Sequence, residues 1–254
     1  MVADIRTEFG RQASRMALAP AFHDEQVLRK LSSALVAGPA DHVLEVACGP
    51  GIVAEALAPL VSELICIDAT TEMIDLAKSR IEMSGHKNVF FQEALAEELP
   101  FADHQFDAIV SRLSFHHFRD TQAVLKEFRR VLRPQGRLIL ADIISSSSQI
   151  DADLHNAIEQ LRDPTHVHMY SMEEFEAALQ AGGFEPEFTE LWEQPRNFSE
   201  WAQIVSDSGR TKPLKKLLRA LSRSGLHLGL TLHEENGEIR FKHQWLLVVA
   251  TLRP

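Results

Sequence analysis

Two groups of histidines and acids in this 254-residue chain could transfer protons near neutral pH. His116 and His117 are adjacent, and Asp163 lies three residues before His166. An imidazole titrates near neutrality, so it can act as a general base, which contributes about 10²–10⁴-fold to a rate. If the local backbone is extended, we expect His116 and His117 to point to opposite sides. Asp163 and His166 could form an acid–imidazole pair.

Each of these candidates also has a purely structural interpretation. His117 could form a hydrogen bond across its loop, and Asp163 with His166 could be a helix cap beside a surface histidine. Arg162 could hold an anionic substrate or pair with Asp163, and Arg112 could pair with an acid of a neighbouring loop. The sequence alone does not decide between these interpretations.

A glycine-containing turn predicts a nucleoside site. In Glu45-Val46-Ala47-Cys48-Gly49-Pro50-Gly51 an apolar run breaks at two glycines before a helical pattern begins. Such ligands bind at the carboxyl ends of strands, where glycine lets the backbone come close. The dinucleotide fingerprint is Gly-x-Gly-x-x-Gly; position 47 is alanine here, and the third glycine position, counted from Gly49 and Gly51, is Ala54. A dinucleotide is therefore disfavoured.

Asp68 ends the next apolar run, 23 residues after Glu45. A carboxylate at that position can accept hydrogen bonds from both ribose hydroxyls. The alternative is an ordinary acid near a helix N-terminus. Because Asp68 occurs together with the glycine turn, the ribose interpretation is favoured.

The elements that must position these residues alternate between strands and helices. Short apolar runs at 43–47, 64–67, 89–91, 108–110 and 138–141 predict strands, and amphipathic stretches at 51–60, 71–84 and 121–132 predict helices. This alternation is typical of an α/β fold with a parallel sheet covered on both faces. Further along, we predict helices at 150–162 and 172–181, strands at 184–192 and 241–252, and a helical insertion between those strands.

These motifs resemble the class I S-adenosylmethionine-dependent methyltransferases, in particular the ubiquinone/menaquinone-biosynthesis-like subgroup (methyltransferase type 11). Besides the turn and Asp68, the matching stretches are Glu98-Leu99-Pro100-Phe101, 106–112, 116–118 and 130–136. The resemblance is strong over about residues 40–145. It implies a Rossmann-like, doubly wound, mostly parallel seven-stranded sheet with helical cap insertions, and S-adenosylmethionine as cofactor.

The resemblance also implies a set of cofactor contacts. The glycine turn would contact the methionine portion, Asp68 the ribose, and the segments after the second and third strands the adenine. Leu95 departs from the family pattern, because an aspartate usually meets the adenine amino group there. The implied cofactor-binding residues are Glu45, Ala47, Gly49, Gly51, Asp68, Ala69, Met73, Ala96, Glu97 and Ser111, and the candidate catalytic residues are His117, His166 and Asp163.

We predict one methyltransferase domain over residues 1–254. Its parts would be an N-terminal helical lid (1–38), a cofactor-binding core (40–145) and substrate-cap segments (145–170 and 195–236). An enclosing cap favours a small-molecule acceptor methylated on oxygen, nitrogen, sulfur or carbon. The alternatives are a protein of the same fold that catalyses a rearrangement or cyclisation, a nicotinamide-dependent oxidoreductase, and a noncatalytic cofactor sensor with Lys212 to Arg223 as its partner surface.

Composition and charge exclude several classes of partner. The formal charge is −10 and the pI about 5.6, which argues against binding the phosphate backbone of a nucleic acid. The apolar runs are too short for a membrane span, and the N-terminal residues lack a signal-type apolar core. Two cysteines and scattered histidines indicate neither a disulfide framework nor a metal site. We expect a metal-free, cytoplasmic monomer or homodimer.

Overall fold

The computed structural model describes residues 4–35, 41–205, 207–225 and 228–253. Within these ranges eight strands form one sheet. The strands are β1 (His42–Val46), β2 (Glu63–Asp68), β3 (Val89–Glu93), β4 (Phe106–Arg112), β5 (Leu132–Ile144), β6 (Phe184–Asn197), β7 (His233–Glu235) and β8 (Glu238–Leu252).

The strand order is β3-β2-β1-β4-β5-β8-β6, with β7 paired to β8. Strands β1 to β5 pair in parallel, and β8 is antiparallel to β5, β6 and β7. The predicted doubly wound, mostly parallel sheet of seven strands is confirmed. The three-residue β7 was not predicted, because its sequence His-Glu-Glu has no apolar alternation. The strand order reverses at β1, so a crevice forms at the carboxyl ends of β1 and β4.

Helices cover both faces of the sheet, and the predicted helices agree with them to within a few residues. Helix α4 ends at Gly85, whose φ of 77° is the left-handed conformation that glycine adopts without strain. The bounds are α1 (Ile5–Met16), α2 (Glu25–Leu35), α3 (Ile52–Leu57), α4 (Thr71–Ser84), α5 (Thr121–Val131), α6 (Gln149–Arg162), α7 (Met172–Ala181), α8 (Phe198–Val205) and α9 (Ser208–Ser224). Among the described residues, no helix is both long and apolar enough to cross a membrane.

The strand β1 shows how the core is divided between the two faces. Successive side chains of a strand point to opposite sides, so Leu44 joins Phe128 of α5 while Val43 joins Ile74 of α4. Both clusters are almost fully buried. Because both faces of the sheet are packed, the carboxyl ends of the strands are left for a ligand.

A third apolar cluster lies between α6, α8, α9 and the first half of β8. The basic residues of α9 face the short β7–β8 hairpin: Arg219 and Arg223 pair with Glu234, and Lys215 pairs with Glu238. These basic side chains of α9 therefore form ion pairs within the chain. The predicted domain parts stay predictions, and residues 1–3 and 36–38 of the proposed lid lie outside the described residues.

Candidate active site

A cavity of about 660 Å³ lies at the carboxyl ends of β1 and β2. It brings together most residues that the sequence predicted to bind a cofactor. Helix α1 and the 3₁₀ turn Pro20–Phe22 contribute Phe9 and Phe22 to its wall. The predicted residues that line it are Glu45, Ala47, Gly49, Asp68, Ala69, Met73, Ala96 and Glu97.

The turn after β1 presents its backbone to this cavity. Ala47 and Gly49 both have positive φ, 56° and 52°, a conformation that is uncommon for a residue with a side chain. A Cβ atom added at Gly49 would meet nothing within 4 Å. The open space at Gly49 and the strained backbone at Ala47 fit a turn that holds a ligand through main-chain atoms.

Gly51 and Ser111 are not among the residues that line the cavity, and their predicted cofactor contacts stay predictions. Gly51 begins α3 with φ 77°, and a Cβ there would lie 2.9 Å from the Cα of Ala77. Glycine is required so that α3 can approach α4 closely. Ser111 is buried and donates a hydrogen bond to the Val46 carbonyl at 2.6 Å, which joins β4 to β1.

Asp68 is held in place by two backbone donors. Its Oδ2 accepts from the Gly49 amide at 2.9 Å, and its Oδ1 accepts from the Thr70 amide at 3.0 Å. Burial raises the pKa of the carboxyl group, and these hydrogen bonds oppose that shift. Each carboxylate oxygen can accept more than one hydrogen bond. Asp68 is thus fixed at the cavity wall with acceptor capacity left for a ligand.

Glu45 is a buried acid whose pKa lies well above that of an exposed glutamate. Burial raises its pKa to about 8, against the opposing effect of the Arg112 guanidinium. Burial also lowers the pKa of Arg112 to about 10, and its Nη1 donates to the Phe22 carbonyl at 2.9 Å. Both side chains line the cavity. A cationic ligand group would therefore find a carboxyl that can ionise in response.

The segment after β3 closes another part of the same wall. Ala94 donates its amide to the Asp68 carbonyl at 3.0 Å, which ties this segment to the end of β2. Leu95, Ala96 and Glu97 then follow along the cavity. Leu95 places an apolar side chain, 39% exposed, at the position of the usual acid.

A smaller chamber of about 70 Å³ adjoins the cavity, and we call it the inner chamber. It lies between α1, the 3₁₀ turn Phe115–His117, the end of α6, α8 and β8. Phe9, Phe22, Leu113 and His117 line both spaces. His117 is therefore at the junction between the two.

The hydrogen bond of His117 determines its tautomer. Its Nδ1 lies 3.1 Å from the carbonyl oxygen of Thr165, which can only accept, so Nδ1 carries the proton and Nε2 has the lone pair. Burial lowers the pKa of His117 to about 4, and the neighbouring His116 lowers it further. At neutral pH the ring is uncharged and Nε2 can accept a proton.

Thr165 connects His117 to Asp163. Its hydroxyl donates to Asp163 Oδ1 at 2.6 Å and lies 3.2 Å from His117 Nδ1. Burial opposes ionisation of Asp163, but the neighbouring His117 and Arg162 outweigh it and lower the pKa of the acid. Sequence reasoning missed Thr165, although a hydroxyl residue between the two candidates Asp163 and His166 was a usable signal.

The predicted pair of Asp163 with His166 is wrong. His166 Nε2 is instead 2.9 Å from the side-chain oxygen of Asn156, and the ring lines neither cavity. Burial lowers its pKa to about 2. The extended backbone on which the expectation for His116 depended does not occur: the local backbone is a 3₁₀ turn, and His116 and His117 both line the inner chamber.

Behind the inner chamber, three buried side chains form a cluster that sequence reasoning missed. His155, Glu159 and His243 place one ligand-type atom each within 4.8 Å of one another. The Glu159 carboxylate already accepts from Arg162 at 3.0 Å and from Trp201 at 3.3 Å. We therefore interpret the cluster as a neutralised carboxylate network, and the metal-free site stays a prediction.

Helix α1 covers both spaces. Its Arg15 donates to the Ile204 carbonyl of α8 at 3.2 Å, and Phe9 packs edge-on against His117, with ring centroids 4.9 Å apart. On the other side, Arg80 of α4 donates to the Ala17 carbonyl at 3.3 Å. One helix is thus attached both to the cofactor-side wall and to the cap.

Comparisons with known proteins agree with this geometry. Residues 44–140 match the family model described as a methyltransferase domain. The chain is 37% identical over 163 residues to the uncharacterized methyltransferase YcgJ of Bacillus subtilis, covering 64% of each protein. It is 33% identical to the uncharacterized protein YafE of Escherichia coli, covering 56% of this chain and 68% of that protein.

A third relative is the 27-O-demethylrifamycin SV methyltransferase of Amycolatopsis mediterranei, 31% identical over 59% of this chain and 56% of that enzyme. The sequence match therefore spans less than two thirds of YcgJ and of the Amycolatopsis enzyme. The crystal structure of YcgJ superposes with a TM-score of 0.83 at 29% identity and covers 91% of this chain and 99% of its own.

Proposed function

Since the chain belongs to the class I S-adenosylmethionine-dependent methyltransferases, we propose that it methylates a small molecule in the inner chamber. The observation that carries the proposal is the position of His117, which lines both the cofactor-sized cavity and the inner chamber. S-adenosylmethionine, when bound, supplies an electrophilic methyl group on a sulfonium. The acceptor atom stays open between oxygen, nitrogen, sulfur and carbon.

The residues of the larger cavity fit this cofactor. We assign the methionine portion to the turn with Ala47 and Gly49, and the ribose hydroxyls to the Asp68 carboxylate. Glu45 would balance the positive charge of the ligand. The open space at Gly49, the fixed Asp68 oxygens and the ionisable Glu45 support this assignment.

We assign His117 as general base. With Nδ1–H donated to Thr165, its Nε2 is free to take a proton from a hydroxyl, amine or thiol of the acceptor. The Asp163 carboxylate, joined through Thr165, would stabilise the imidazolium that results. Helix α1 would act as a lid that excludes water from both spaces.

The test is methyl transfer from labelled S-adenosylmethionine into a small-molecule ultrafiltrate of a cell extract. We expect label in the ultrafiltrate fraction, equimolar S-adenosylhomocysteine, and a loss of about 10²–10⁴-fold in kcat for His117→Gln. Because the pKa of His117 is about 4, its protonation should not limit the wild-type rate until the pH falls toward that value.

Two outcomes would contradict the assignment. Label confined to retained protein or nucleic acid would refute a small-molecule acceptor. Bound cofactor without any S-adenosylhomocysteine would favour the alternative of a cofactor-assisted rearrangement. His116→Gln, which removes the ring bound to Asp142 at 2.6 Å, tests whether the effect belongs to His117 rather than to the turn.

Cofactor affinity should depend on pH through Glu45. Its folded-state pKa of about 8 means that the carboxyl is mostly neutral at pH 7 and ionises as the pH rises. A cation binds the ionised form better, so the affinity for S-adenosylmethionine should rise by up to about tenfold per pH unit between pH 6 and 8. Calorimetry in buffers of different ionisation enthalpy should detect protons released on binding.

Glu45→Gln is the control for this dependence. It keeps an acceptor of similar shape but cannot ionise, so its affinity should vary little between pH 6 and 8. A wild-type affinity that is flat over this range, or a slope that persists in Glu45→Gln, would show that Glu45 does not respond to the ligand.

A further inference from the structure

Two buried polar atoms of the inner chamber, Gln12 Oε1 and Trp245 Nε1, have no hydrogen-bond partner among the described residues. Their side chains are 0% and 4% exposed. A third polar atom of the chamber, His243 Nε2, lies 3.3 Å from the Glu159 carboxylate behind it. Buried polar atoms of native proteins nearly always have partners, so a group of unpartnered ones needs an explanation. Their shared position indicates a chamber that is completed by a polar ligand.

Two arginines give the chamber its positive charge, and they differ in whether the guanidinium is already paired with a carboxylate. Arg162 is already bound to Glu159 at 3.0 Å. The Arg196 guanidinium forms no hydrogen bond or ion pair with any residue that the structure describes, and burial and the nearby Arg162 lower its pKa. A partly buried guanidinium without a close carboxylate favours an anionic ligand.

The acid that lines the chamber is Asp163, whereas the acids near Arg196 lie outside the lining. The acids that act on Arg196 are Glu159, Glu200 and Asp24, and they do so without forming an ion pair. Asp163 instead acts on His117, through Thr165. The chamber is thus polarised, with an anion-seeking group at Arg196 and a proton-accepting group at His117.

Between these two groups the walls are aromatic. Phe9 and Phe22 face the chamber from the lid, and Trp201 and Trp245 face it from the cap and β8. Flat aromatic walls pack well against a flat ring, in offset or edge-on contacts. The chamber alone, at about 70 Å³, is smaller than the roughly 150 Å³ cavity that binds a benzene ring, so an aromatic ring would extend past Phe9 and His117 into the adjoining cavity.

We propose that the inner chamber, together with its junction with the larger cavity, binds a small aromatic acid as the methyl acceptor. Its carboxylate would face Arg196 and the Trp245 N–H, its ring would lie between the aromatic walls, and its protic substituent would face His117 Nε2. This inference deepens the proposed function and rests on the inner chamber being the acceptor site.

Intrinsic fluorescence offers a direct test with benzoate as the probe. Two of the three tryptophans, Trp201 and Trp245, line the chamber, and the third, Trp192, stacks on Trp245 with centroids 5.7 Å apart. Benzoate and the uncharged, similarly shaped benzamide would be titrated with and without saturating S-adenosylhomocysteine. We expect benzoate to bind at least about tenfold more tightly than benzamide.

Arg196→Gln should remove this preference, whereas Arg240→Gln should preserve it. Arg240 is the matched control because it lies on β8 outside the chamber and pairs with Glu235. Trp245→Phe keeps the ring but removes the N–H, so it should weaken benzoate binding alone. If Arg196→Gln does not fold, Arg196→Lys together with Trp245→Phe gives the same comparison.

Three results would overturn the proposal: equal affinity for benzoate and benzamide, no binding of benzoate to the wild type, or full preference in Arg196→Gln. Calorimetry with S-adenosylhomocysteine on the same samples separates this proposal from the proposed function. Absent nucleoside binding with an intact benzoate preference refutes only the methyltransferase assignment, and the converse refutes only the acceptor class.

Discussion

Asp68→Ala should raise the Kd for S-adenosylhomocysteine by about a hundredfold or more. The substitution removes the proposed acceptor of both ribose hydroxyls, and each hydrogen bond to a charged group contributes about 1.5–3 kcal/mol. It also frees the Gly49 and Thr70 amides that position the turn. In a thermal unfolding assay, ligand at one hundred times the wild-type Kd should stabilise the wild type by about 2.7 kcal/mol and Asp68→Ala hardly at all.

Asp75→Ala is the control, because Asp75 is an exposed acid on α4, the helix that follows Asp68 in the chain, and does not line the cavity. Its ligand-induced shift should equal that of the wild type. Asp68→Asn should fall between the two, since an amide keeps one acceptor oxygen. Unchanged nucleoside affinity in Asp68→Ala would refute the ribose assignment.

Glu159→Ala should destabilise the fold by about 3–5 kcal/mol. Removing one partner of a buried ion pair leaves the other charge uncompensated, here the Arg162 guanidinium, whose side chain is 11% exposed. Trp201 would also lose its acceptor. For a chain of this size, a fall in Tm of roughly 10 °C is expected in thermal unfolding.

Two variants delimit this effect. Glu159→Gln keeps an acceptor for Trp201 and should lose less stability than alanine. Glu193→Ala removes a half-exposed carboxylate that pairs with Lys242, and exposed pairs contribute about 0–1 kcal/mol. A loss for Glu159→Ala no larger than that for Glu193→Ala would mean that the buried network does not hold the cap on the sheet.

The Glu159 carboxylate also makes the free energy of unfolding depend on pH. The pKa of Glu159 lies well below its ordinary value, because Arg162 and the neighbouring histidine His243 outweigh burial. Its contribution is therefore complete above the unfolded pKa of about 4.5 and is lost as the pH falls toward the folded value.

The wall of the larger cavity could be predicted because short, local sequence motifs specify the residues that form it. The glycine turn and Asp68 each end an apolar run, and the carboxyl ends of neighbouring parallel strands meet at one edge of a sheet. Gly51 and Ser111, the two predicted cofactor residues that do not line the cavity, share one explanation. A motif position does not reveal whether a residue touches the ligand or lets two elements approach, as Gly51 does for α3 and α4.

The inner chamber could not be predicted in the same way. Arg196 is on β6 and His243 on β8, while Arg162 ends α6, and no local pattern joins residues so far apart in the chain. Their meeting depends on the packing of α6, α8 and α9 over β8. The pairing of Asp163 with His117 likewise depends on a loop that brings Thr165 to the 3₁₀ turn.

The attachments of helix α1 also bear on the rate of product release. It is attached to α8 through Arg15 and to α4 through the Ala17 carbonyl, and its Phe9 lies over the junction of the two spaces. A single opening motion would then free both the spent nucleoside and the methylated product. Their departure rates would be linked, and turnover would be limited by one shared gate rather than by two independent exits.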